Sequence, residues 1–230
     1  MPNLRELRSR IKSVDSTARV TKALQMIAAA KMKKAQDKVI DGREYSNKLN
    51  GILSNVYESN PEIFSESESN INGTNLILLI TPDRGLCGAL VSNILKEANR
   101  YISDSVSANT EILVVGKKGN SFILKSANEV SKLFKISDMP TFEEVTQITR
   151  PIIDKYNKGD FSELNVIYSE FISTAIQKPK TSKLFPIEIN NNDKNLASVD
   201  FLYEPDLETV SKALIPRYIE MNIFNAILNA

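Results

Sequence analysis

The densest set of reactive side chains lies in Pro82-Asp83-Arg84-Gly85-Leu86-Cys87-Gly88. A thiol near a helix N-terminus is readily held as thiolate, so Cys87 is a candidate nucleophile. Asp83 and Arg84 put an acid and a phosphate clamp in the same turn. Gly85-Leu86-Cys87-Gly88 and Gly116-Lys117-Lys118-Gly119 could let backbone amides approach an anion. Each feature is incomplete. Neither the GxxxxGK[ST] of a phosphate loop nor the GxGxxG of a dinucleotide fold is present. The chain holds no histidine and one cysteine. Cys87 therefore has no imidazole base, and a His-based triad or an ordinary zinc site is not expected. The plainer reading makes Cys87 a buried structural residue. Asp83 and Arg84 then cap the turn and pair locally, and the glycines let strand, turn and helix pack closely. No catalytic residue, cofactor site or metal site is expected.

The elements around this turn predict an α/β body. Residues 75–81, NLILLIT, form a continuous apolar run, the pattern of a strand covered on both faces. Helical spacing follows over 89–102, with Leu90, Ile94, Leu95 and Ala98. A second buried strand is expected at 111–116, a short helix at 117–124 and a third strand at 132–136. Residues 141–156 read as a helix that Pro151 should bend and Gly159 should stop. Strands are expected at 163–172 and 183–189, then a polar loop at 190–198. Alternating strands and helices imply a small sheet with right-handed crossovers.

The body is flanked by helices. Over residues 4–57, apolar residues fall at Leu4, Leu7, Ile11, Val14 and Ala18, a 3,4 alternation that is the spacing of a coiled-coil seam. Asn3 with Glu6 three residues on reads as a capping box. Gly42 and Gly51 should only weaken the helix locally. Such a helix is a rod of roughly 80 Å, far longer than a small domain is wide. Residues 58–74, rich in Ser, Asn and Glu, read as a mobile linker. Residues 205–230 return to helical spacing through Leu207, Val210, Leu214, Tyr218, Met221, Phe224 and Leu228, and Pro216 is expected either to kink the helix or to mark where its regular part begins. The pattern is still apolar at Leu228 and carries no stop signal, so this helix is expected to be incomplete. At about 40 Å it would cover half of the first. The expected division is 1–57 helix, 58–74 linker, 75–204 α/β domain and 205–230 the start of a second helix.

Charge is uneven. Residues 1–50 carry twelve Lys or Arg against five Asp or Glu, a net of +7. The remainder carries seventeen against twenty-three, a net of −6, so the overall +1 conceals a basic rod on an acidic body. A basic rod suits an acidic protein surface, nucleic acid or an anionic membrane. No run approaches the roughly 18 apolar residues that cross a bilayer, and the N-terminus has no hydrophobic signal segment.

Three stretches together resemble the gamma subunit of the F-type ATP synthase. They are LRELRSRIKSVDSTARVTKALQMIAAAKMKKAQ (residues 4–36), TPDRGLCGAL (81–90) and FLYEPD…LIPRYIEMNIFNAILNA (201–230). The resemblance implies a Rossmann-like α/β domain whose N- and C-terminal helices wind into an antiparallel coiled coil. It implies a non-catalytic shaft inside a ring of alternating alpha and beta subunits. A proton-driven c-ring turns that shaft, and its asymmetry drives the beta subunits through different states. It implies beta-subunit contact through Arg8, Arg10, Lys12, Lys22, Leu24, Ile27, Lys31 and Lys34. Tyr203 and Glu204 would lie at the foot, towards epsilon and the c-ring. No cofactor is implied, and membrane contact comes only through the complex. The cysteine-bearing regulatory insertion of chloroplast members is absent. With the missing leader, this leads to the expectation of a bacterial protein, peripheral on the cytoplasmic side of the cell membrane.

Two other readings compete. A basic coiled-coil scaffold binding nucleic acid would show affinity that falls steeply with salt. Tyr45 is the one aromatic before residue 57, however, which leaves no surface for stacking bases. A small nucleotide-using enzyme on the α/β domain is the third, and the missing glycine fingerprints count against it.

Overall fold

The computed structural model describes residues 3–59, 73–104, 109–125, 130–137, 139–187, 203–204 and 206–230. In chain order the elements are α1 (Leu4–Ser59), β1 (Asn75–Ile80), α2 (Leu90–Asp104), β2 (Thr110–Val115), α3 (Lys117–Lys125), β3 (Val130–Phe134), α4 (Phe142–Lys158), β4 (Glu163–Phe171), β5 (Gln177–Phe185) and α5 (Leu207–Asn229). Most of the linker expected at 58–74 and the whole loop expected at 190–198 lie outside the described residues.

The five strands stand in the order β3-β2-β1-β4-β5. β1 pairs in parallel with β2 and β4, and β2 with β3. β1 is central, and all six of its residues are buried, as a strand covered on both faces must be. Leu76, Leu78 and Ile80 face one core with Leu113, Leu164 and Val166, against α4, α5 and the C-terminal part of α1. Ile77 and Leu79 face the other with Ile112 and Val114, against Ile94 and Ala98 of α2 and Ile123 of α3.

The last strand departs from the expectation of 183–189. β5 starts at Gln177 and runs antiparallel to β4 as the second arm of a hairpin. Its first residues, Gln177 to Ser182, are polar apart from Pro179, as suits an edge strand open to solvent, and an apolar-run criterion misses them. β3 begins two residues earlier than expected, at Val130.

Local signals set the helix ends. Thr141 and Glu144 form a reciprocal capping box at the start of α4, and Gly159 ends it with φ 68°. Asp206 caps α5 by accepting from Thr209 N–H at 2.8 Å. These contacts hold the Glu144 and Asp206 carboxyls below the usual carboxylate range. For each, the largest cause is the backbone hydrogen bond within its cap. At the start of α1, Asn3 Oδ1 accepts from Arg5 N–H at 3.4 Å. Helix α4 continues through Pro151 and α5 through Pro216.

Candidate functional site

The turn after β1 holds no catalytic arrangement among its described contacts. Thr81 Oγ1 accepts from Gly119 N–H at 2.9 Å, and Asp83 Oδ1 accepts from Lys117 N–H at 2.8 Å. Those amides open α3, where a nucleotide-binding fold would place a phosphate. Here the chain's own oxygens occupy two of them. The approach is tight: Gly116 has φ 92°, and a Cβ there would lie 1.9 Å from Thr81 O. Asp83 therefore caps a helix 34 residues further along, where a local turn partner was expected.

Cys87 corrects a second expectation. It is exposed, not buried. Leu86 adopts φ 61° and Gly88 φ 61°, so the turn swings away from the sheet edge and leaves Leu86 fully exposed as well. Among the described residues, no group of three potential metal ligands occurs.

The feature that needs a partner is α1, which divides into two parts. Every residue from 3 to 34 is exposed. Leu4 is 73% exposed and Leu24 60%. From Ala35 onward the helix becomes progressively covered, and Leu49, Leu53 and Val56 are buried in the main core. The cover is the antiparallel helix α5, through Ile215, Ile219, Ile223 and Ile227. Asn225 Nδ2 donates to Ser46 Oγ at 2.6 Å, and a Cβ on Gly42 would meet Asn225 Oδ1 at 3.0 Å. Gly42, read from sequence as a mere weak point, thus makes room for the Asn225 side chain of the second helix. The side-chain amide oxygens of Asn50 on α1 and Asn225 on α5 are buried without a hydrogen-bond partner. Such polar groups in a two-helix seam restrict its register at a cost in stability.

All eight candidate partner residues, Arg8, Arg10, Lys12, Lys22, Leu24, Ile27, Lys31 and Lys34, lie on the exposed part. At about 100° per residue they spread over roughly two-thirds of the helix circumference. They form a broad band that leaves the remaining third of the circumference free of them. The seam residues Leu4, Leu7, Ile11, Val14 and Ala18 instead fall within a stripe roughly 80° wide. Tyr203 is half-buried against the main core and Glu204 is exposed. Both precede α5, so they sit at the end of the molecule away from the free end of α1. Tyr45, the one aromatic of α1 before Tyr57, is engaged by Arg217. Among the described residues, no helix is long and apolar enough to cross a membrane.

A collar of side chains that the sequence reading missed ties the two long helices to the body. Arg217 on α5 donates to Tyr45 OH at 3.3 Å, pairs with Glu220 at 2.8 Å and lies 5.0 Å above the Phe142 ring on α4. Thr146 Oγ1 of α4 donates to Glu220 Oε1 at 3.2 Å. Lys38 Nζ of α1 donates to the Pro140 carbonyl at 3.3 Å.

The family model described as ATP synthase matches residues 3–230. The ATP synthase gamma chain of Roseiflexus castenholzii is 35% identical over 237 residues, covering all of this chain and 81% of that one. The gamma chain of Chloroflexus aurantiacus is 34% identical over 241 residues with the same coverage. Among solved structures, the Tetrahymena thermophila mitochondrial ATP synthase central stalk and c-ring assembly contains a chain of similar fold. The TM-score is 0.70 at 23% identity, covering 91% of this chain and 92% of that one.

Proposed function

The chain belongs to the ATP synthase gamma-chain family, and from that premise we propose how its geometry serves the rotary complex. As the central-stalk subunit it couples rotation of the membrane ring to the catalytic subunits. The exposed part of α1, roughly 45 Å of helix, enters the ring of alpha and beta subunits. Acidic loops of the beta subunits meet its basic circumference, including Arg8, Arg10, Lys12, Lys22, Lys31 and Lys34. Leu24 and Ile27 add apolar contact. The end carrying Tyr203 and Glu204 faces epsilon and the c-ring. The complex is peripheral on the cytoplasmic side of a bacterial membrane.

The chain makes no covalent step in this reading. A single rod inside a ring touches each beta subunit differently, and each beta subunit populates the conformation its contacts favour. Turning the rod moves that pattern around the ring. A basic surface over about two-thirds of the circumference, with the apolar seam on the rest, offers the ring two unlike faces, so the three beta subunits meet different contacts at any one angle.

The observation that carries the reading is that an apolar seam and a strongly basic surface occupy the same 32 exposed residues. Burying one Leu or Ile from that seam is worth about 1.5–3 kcal/mol, which an exposed helix forgoes until a partner arrives. The test is co-expression of this chain with its host's alpha and beta subunits. Assembly into one complex that weakens with added salt is expected. Recovery of the chain apart from both subunits at low salt contradicts the reading.

A further inference from the structure

Three helices meet at Arg217. Its guanidinium donates to Tyr45 of α1, pairs with Glu220 one turn along α5, and lies over the Phe142 ring of α4. Glu220 is 12% exposed and also accepts from Thr146 of α4. Phe142 packs edge-on against Phe224, with ring centroids 5.7 Å apart. The apolar core already joins the helices to the sheet at Leu49, Leu53, Ile215 and Ile219. This cluster lies at the same level of α5, between Ile215 and Ile219 but on the outer side of the helices, where Tyr45 is 44% exposed. Pro216 is adjacent, so one backbone donor is missing from α5 at that level. A side-chain clamp beside a missing backbone bond stiffens the place where the helix is weakest.

We propose that Arg217 is a positioning residue for torque transfer: with Tyr45, Phe142 and Glu220 it clamps the α1/α5 pair to the α/β body and sets how stiffly body and shaft turn together. The inference rests on the rotor reading for its consequence, but the clamp itself is a property of this chain. Lysine cannot replace arginine here. Its ammonium keeps the pairing with Glu220, but it lacks the planar face that lies over Phe142 and the separate nitrogens of a rigid fork that reach Glu220 and Tyr45 together.

Two measurements separate the parts. In the isolated full chain, Arg217→Ala is expected to speed amide exchange in the first turns of α4 and over residues 38–46 of α1 by about tenfold, leaving residues 49–56 unchanged. Unchanged exchange at 38–46 and in α4 overturns the clamp, whatever the chain's function. In the assembled complex, the ring is immobilised and a bead is attached to the body through Leu124→Cys in a Cys87→Ser background. Arg217→Ala is expected to broaden the bead's angular variance during a catalytic pause by about twofold, with Arg217→Lys intermediate and Tyr45→Phe smaller. A purely structural role would lower the yield of complexes without altering that variance. Parental variance in assembled Arg217→Ala or, where alanine prevents assembly, in both conservative variants overturns the proposal. Failure of the unmodified chain to join the ring tells against the rotor reading and against the torque role, and leaves the exchange result to decide the clamp.

Discussion

The two parts of α1 are written in the same alphabet and behave differently. Residues 4–34 and 35–59 both carry apolar residues at helical spacing with lysines and arginines between them. In the second part Leu49, Leu53 and Val56 are buried beneath α5 and against the sheet, whereas in the first Leu7, Ile11 and Val14 are exposed. The difference lies outside the helix, in whether α5 and the body reach it. An apolar seam therefore reports that a helix needs cover, and the rest of the molecule decides whether the cover is its own.

The largest effect expected from breaking this contrast is in the buried part. Leu53→Ala should cost about 2–5 kcal/mol of unfolding free energy in denaturant titration. Leu7→Ala or Leu24→Ala in the exposed part should stay within about 0.5 kcal/mol for the isolated chain. Equal losses at the two places would erase the distinction. Next comes Gly116→Ala, which puts a Cβ 1.9 Å from Thr81 O at a positive φ. A loss of about 1–3 kcal/mol or more is expected, with the α3 cap disturbed, and no change in α1 exchange at residues 4–34.

Charge reversal sharpens the contrast from the other side. Lys22→Glu, Lys31→Glu and Lys34→Glu together should leave the melting temperature of the isolated chain nearly unchanged. They should lower recovery of alpha and beta subunits several-fold at low salt, with the difference shrinking as salt rises. A smaller effect follows acidification. The Glu144 and Asp206 pKa values are lowered in the folded chain, so each stabilises the fold above its ordinary value and loses that contribution as the pH falls through the lowered one. Asp206→Asn and Glu144→Gln should flatten the acid limb of a stability–pH curve. A limb of unchanged slope in both variants would show that these caps do not set it.

The sequence made some of this legible and hid the rest for physical reasons. The start of α1 follows from the 3,4 spacing between Leu4 and Ala18, its length from the absence of proline between residues 4 and 57, and the central strand from its unbroken apolar run, since these are local patterns. The glycine stop of α4 is local as well, and so is its capping box, which the apolar spacing left unread. The polar start of β5 was not legible, because an edge strand satisfies its backbone on one side without apolar residues. Asp83 and Thr81 reach amides 34 and 38 residues away, and no spacing rule announces that. Gly42 looked like a weak point because its reason is Asn225, on a helix nearly two hundred residues later. The exposure of Cys87 turns on one left-handed residue, Leu86, of a type that rarely adopts that conformation. Arg217 gave no signal at all, since its partners come from three helices.

The most direct test of the central claim is amide exchange over residues 4–34, measured first in the isolated chain and then in the assembled complex. Rapid exchange alone and strong protection after assembly are predicted, because the exposed seam waits for cover from other chains. Strong protection already present in the isolated monomeric chain, or rapid exchange that persists within the complete complex, would contradict the account.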